Sequence, residues 1–107
     1  MMNTIRSQVV LAAVVSLATA VGFAQSSGEA IYKARCQNCH GPAGLADTTM
    51  GKAIKVKPVT DPPVKKFTEA GMIEATRNGM GKMQPYKDKL TDAQIKDAVD
   101  YFRTFIK

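Results

Sequence analysis

Both cysteines of the chain and its only histidine fall within five consecutive residues, Cys36-Gln37-Asn38-Cys39-His40. Three chemistries use a thiol pair at this spacing, and each demands a different fold around it. A redox disulfide sits at a helix amino terminus, where the thiolate is favoured, with a strand beside it. Here the pair closes a helical pattern and no strand pattern is near. Structural zinc takes four Cys or His ligands, and this chain has two cysteines and one histidine in all. Covalent haem attachment has Cys-x-x-Cys-His as its signature. Helical geometry supports this third reading, because positions i, i+3 and i+4 share one face. Two thiols one turn apart can form thioethers along one side of a porphyrin, while the next imidazole ligates the iron from below.

The amino terminus bears on where such chemistry happens. Residues 1–8 carry Arg6 and no acid, and residues 9–24 carry no charge. The small-residue patterns Ala18-Thr19-Ala20 and Gly22-Phe23-Ala24 follow or overlap that run. This order reads as a secretory signal peptide over residues 1–24, cleaved after Ala24, with one folded domain over 25–107. A retained membrane anchor is the alternative, but the 16-residue run is short of the ~20 residues that span a bilayer. No cysteine near the cleavage site provides for a lipid-modified terminus. Export to the periplasm agrees with the motif, because thioether haem proteins are assembled outside the cytoplasm. The net charge is +6, or +5 once Arg6 is removed. An exported basic domain suits acidic proteins or anionic membranes, and not nucleic acid.

Helical patterns flank two long loops. Gly28 to Cys39 reads as a short helix with Ile31, Tyr32 and Arg35/Cys36 on one side. From Gly41 to Lys66 the run of Gly and Pro residues predicts loop, with at most a turn of helix near Thr48–Ile54. Thr68 caps a second helix that runs to Asn78 and stops at Gly79, with Met72, Ile73 and Thr76 inward. Residues 79–90 form another loop. Thr91 and Gln94 make a capping box for the last helix. There Ile95, Ala98, Val99, Phe102 and Phe105/Ile106 recur at the spacing of one buried face. No segment reads as a strand, so the domain is expected to be all-α, with three to four helices. Long loops in so small a body imply that something besides side chains fills the core.

A single histidine excludes bis-histidine ligation within one chain, which leaves a methionine thioether as the strong sixth-ligand candidate. Met1 and Met2 leave with the signal; Met72 fits a packing role, and Met50 fits the pocket wall. Met80 and Met83 lie in Asn78-Gly79-Met80-Gly81-Lys82-Met83-Gln84-Pro85-Tyr86. Gly79 and Gly81 let backbone approach a ring closely, and Pro85 stiffens the segment behind Met83. Met83 is the expected ligand and Met80 the alternative.

Taken in order, four pieces resemble the class I c-type cytochromes, specifically the small bacterial monohaem ones. They are Gly28, Tyr32 and Cys36; Cys36–Gly41; Asn78–Tyr86; and Leu90–Phe102. The resemblance covers residues 28–107. It implies the small cytochrome c fold wrapped around one covalent haem c and its iron, and a crossing of the first and last helices at Gly28 and Tyr101 near Tyr32. In that family the ligand methionine is followed at once by proline, whereas here Gln84 stands between Met83 and Pro85.

The implied function is electron transfer by a non-enzymatic carrier, a monomer whose iron keeps both axial sites filled. Methionine-histidine ligation raises the potential. Lys52, Lys55, Lys57, Lys65, Lys66, Lys82, Lys87 and Lys89 crowd the two loops. They are either an ordinary solvated face or a basic collar that steers redox donors and acceptors with acidic docking faces. Two other functional classes stay open on residues alone. One is a haem enzyme or gas-binding protein with an open sixth site; the other is a haem-free thiol-disulfide protein.

Overall fold

A computed structural model describes residues 27–107, so the expected signal peptide and its cleavage site lie outside the described residues. Helix α1 occupies residues 27–40 and contains a π-helical turn, Tyr32–Cys36, before a last α-helical turn, Gln37–His40. It is followed by α2 (Thr49–Ala53), α3 (Pro62–Lys66), α4 (Glu69–Asn78) and α5 (Asp92–Arg103). The all-α reading holds, and among the described residues β pairing amounts to one isolated Met80–Met83 bridge. None of the described helices is long and apolar enough to cross a membrane.

The caps follow the sequence closely. Thr48, Thr68 and Thr91 each accept a bond at their helix start, from Gly51, Gly71 and Gln94 respectively. At Thr91 the box is complete, because Gln94 Oε1 also accepts the Thr91 N–H at 2.8 Å. Helix α3 departs from the expected loop. Pro62 and Pro63 occupy its first two positions, where the backbone N–H groups lack helical partners in any case, so proline starts the helix. Residues that punctuate a loop in the sequence therefore serve as a helix opening.

Two packing centres hold the domain. Met72, Tyr86, Ile95 and Val99 form the buried cluster between α4 and α5, with Phe67, Ile73, Met83 and Phe102 packed around it. The second centre is aromatic. Tyr32 meets Tyr101 at 5.4 Å between ring centroids, Phe105 at 5.5 Å and Phe102 at 6.1 Å. Gly28 makes this crossing of α1 and α5 possible. A Cβ there would collide with the Asp97 carbonyl and touch Tyr101 Cβ at 3.4 Å. The expected Gly28–Tyr101 crossing is thus observed, with Tyr32 at its centre.

Candidate functional site

Helix α1 delivers Cys36, Cys39 and His40 together. In its π turn the Gln37 N–H bonds to the Tyr32 carbonyl, one residue wider than α spacing. Tyr32 packs against Tyr101 of α5, and it lines one cavity together with both thiols. The helix stops at Gly41, whose φ of 85° is readily adopted only by glycine. A Cβ at that position would lie 2.7 Å from Asp47 Oδ1. Two bonds secure the turn that follows His40. The Ala46 N–H donates to the His40 carbonyl at 2.8 Å, and the buried Tyr32 hydroxyl donates to the Gly41 carbonyl at 2.5 Å.

The His40 ring rests edge-on against Phe102, 5.2 Å between centroids. Burial lowers its pKa, which favours the neutral imidazole that binds metals. Its Nδ1 is buried and has no hydrogen-bond partner among the described residues. In the turn that follows, the Gly41 carbonyl accepts from Tyr32 and from the Gly44 N–H. Both cysteines are free and half-buried. Burial, and then the neighbouring Cys39, push the Cys36 thiol up to about 11. A reactive redox thiol needs the opposite shift, so the direction at Cys36 speaks against the thiol-disulfide alternative.

The cavity that these residues line measures about 1030 Å³, at the upper end of the ~300–1,000 Å³ of small-molecule and cofactor sites. Val64, Phe67, Met72, Val99 and Phe102 provide apolar wall. Met50, Met80 and Met83 line the same space. Every residue expected to hold or surround the haem therefore faces one chamber. An apolar chamber bordered by two free thiols and a buried imidazole with an orphaned nitrogen fits a covalently attached haem.

The two loop methionines differ in their setting. Met80 and Met83 exchange backbone bonds of 3.0 and 2.9 Å across Gly81 and Lys82. Gly79 ends α4 with φ of 84°, and a Cβ there would lie 2.9 Å from the Met83 carbonyl oxygen, whereas Gly81, with φ of 59°, lies within the turn. The Met80 side chain is 56% exposed, whereas Met83 is half-buried against the α4–α5 cluster. Of the eight loop lysines only Lys55, Lys57 and Lys82 border the cavity, so the basic rim is narrower than the sequence implies. Three contacts escaped sequence reading: the Tyr32 hydroxyl on Gly41, Phe102 against His40, and the Tyr86 hydroxyl on the Arg35 carbonyl. The pattern marks Tyr32 and Phe102 as packing residues, and nothing in it signals these polar and edge-on roles.

A family model described as cytochrome C oxidase, cbb3-type, subunit III matches residues 23–102. Among solved structures, the KustC0563 c-type cytochrome is 30% identical with a TM-score of 0.68, covering 75% of this chain and 98% of its own. A tyrosine-to-phenylalanine mutant of Kustc0563 is 28% identical with a TM-score of 0.66, covering 74% of this chain and 98% of its own. None of the curated proteins matches the chain.

Proposed function

This chain belongs to the c-type cytochromes, in the family described as cytochrome C oxidase, cbb3-type, subunit III, and on that premise we propose that it is an exported one-electron carrier with His40 and Met83 as axial ligands. Haem c and its iron are the family's cofactor, and when bound they supply a site that takes up and releases one electron. Cys36 and Cys39 hold the porphyrin edge, and His40 presents a neutral nitrogen to the metal. Met83 provides thioether sulfur, which favours the reduced state and raises the potential. With His40 and Met83 both holding the metal, no substrate would reach it, and the role would be carriage and not catalysis.

The observation that carries this reading is the convergence of both thiols, the imidazole and Met83 on one apolar cavity. Met83 is preferred to Met80 because its side chain is already packed against Met72, Tyr86, Ile95 and Val99. The iron–thioether bond is weak, so the sulfur whose position is held by packing has the advantage. The signal-like residues 1–24 support cleavage after Ala24 and a periplasmic location. Lys55, Lys57 and Lys82 on the cavity margin suit redox donors and acceptors with acidic faces.

Paired substitutions test the ligand. Met83→Ala should abolish the red absorbance band of sulfur-ligated ferric haem and admit cyanide and carbon monoxide, while Met80→Ala keeps the band. The reverse pattern would transfer the role to Met80. An unchanged spectrum in both variants would remove the filled-site reading and favour an open or differently ligated haem.

A further inference from the structure

Gln84, the residue that separates Met83 from Pro85, is joined to three others by a single line of hydrogen bonds. Lys89 Nζ lies 2.6 Å from Gln84 Oε1, Gln84 Nε2 lies 3.3 Å from Tyr86 Oη, and Tyr86 Oη lies 3.1 Å from the Arg35 carbonyl. The direction of every bond is dictated by chemistry. An ammonium only donates, so the amide oxygen must face Lys89. The amide nitrogen only donates, so the Tyr86 hydroxyl must accept from it and pass its own proton toward Arg35. Lys89 also lies over the Tyr86 ring, 5.6 Å from its centroid. The Tyr86 backbone is held as well, its N–H donating to the Thr76 carbonyl at 2.9 Å.

The two ends of this line are significant. Gln84 directly follows Met83, and Arg35 directly precedes Cys36. We infer that Gln84 is a positioning residue: through Tyr86 it clamps the methionine loop to the cysteine-bearing helix and holds the Met83 sulfur in place. The inference rests on the reading of Met83 as sixth ligand. Gln84 itself is exposed, but Tyr86 is buried and part of the α4–α5 cluster. The clamp therefore has one end in solvent and the other in the core. An amide is required, because a side chain at position 84 must accept from Lys89 and donate to Tyr86 at once. Glutamate has the same shape and accepts more strongly from Lys89, yet it has no proton to donate to the hydroxyl.

The test is cyanide association with the ferric holoprotein, whose rate reports how often the sulfur leaves the metal. One net hydrogen bond corresponds to about a fivefold change, or ~1 kcal/mol at ~1.4 kcal/mol per decade. Gln84→Glu and Tyr86→Phe should each speed cyanide binding about fivefold. Because the bonds act in series, the combined variant should be no faster than about the faster single. The lost bond itself lowers the thermal midpoint by ~4–8 °C, so the control that separates loop release from general loosening is Thr91→Ala, which costs a similar ~1 kcal/mol at the start of α5. Faster cyanide binding in Gln84→Glu and Tyr86→Phe but not in Thr91→Ala supports the clamp, and an equal acceleration in Thr91→Ala overturns it. Normal cyanide rates in Gln84→Glu and Tyr86→Phe, with the red band lost in Met83→Ala, overturn the clamp and leave the ligand standing. A band that survives Met83→Ala overturns the ligand reading itself, and the clamp with it.

Discussion

Gly28→Ala sets two opposing effects against each other at the crossing of α1 and α5. At an exposed helix position the change would stabilise by ~1 kcal/mol, because alanine is the better helix former. At Gly28 the new Cβ lies 2.9 Å from the Asp97 carbonyl carbon and nearer still to its oxygen. The obstacle is backbone in the middle of α5, so no side chain can rotate away. Ordinary contact begins near 3.4 Å, so clearing the oxygen requires the helices to part by about one ångström, a gap that forfeits up to about half of the dispersion energy of the affected contacts. Those contacts include the three ring pairs of Tyr32 with Tyr101, Phe102 and Phe105, each worth ~0.5–1.5 kcal/mol. Overpacking itself costs ~1–3 kcal/mol. The net expectation is a loss of about 2 kcal/mol. For a domain of this size that lowers Tm by roughly 8–16 °C. Thermal unfolding of the holoprotein, followed by far-ultraviolet dichroism, measures it. A midpoint equal to or above that of the parent would show that the crossing has slack and that the steric argument is wrong.

Three further outcomes follow from the same structure. Replacing Cys36 and Cys39 together with alanine should give an exported chain that lacks the mass of one haem, fails haem staining and is degraded, because the cofactor fills much of so small a core. Thr91→Ala removes the acceptor for the Gln94 N–H and should cost ~1 kcal/mol of unfolding free energy, read by denaturant titration, while Thr91→Ser should lose little. Electron transfer to an acidic partner should slow as salt rises, since exposed charges are screened beyond ~8 Å at physiological ionic strength. Lys55→Glu and Lys82→Glu should slow it at low salt, and a stopped-flow rate indifferent to salt would make these lysines mere solvated surface.

Much of this protein is legible in its sequence because the signals are local. The Cys36-Gln37-Asn38-Cys39-His40 run is short enough for helix geometry alone to bring its three reactive side chains together. Thr68, Gly79, Thr91 and Gln94 mark helix ends through bonds that span three or four residues. The face of α5 follows from periodicity, and Ile95, Ala98 and Val99 are buried as the spacing requires. Local rules mislead at Pro62 and Pro63, where proline is compatible both with a loop and with the first turn of a helix.

Apart from the Gly28–Tyr101 crossing, contacts between distant segments were decided only by the tertiary structure. Tyr86 and Arg35 are 51 positions apart, and no spacing rule connects them. The narrowing of the basic rim to Lys55, Lys57 and Lys82 depends on where the loops come to rest. The contrast between a half-buried Met83 and an exposed Met80 arises because the turn between them directs one side chain onto α4 and α5. Two methionines three residues apart carry the same chemistry in the sequence. Packing alone makes them unequal, because burial against a particular neighbour depends on the whole chain having folded.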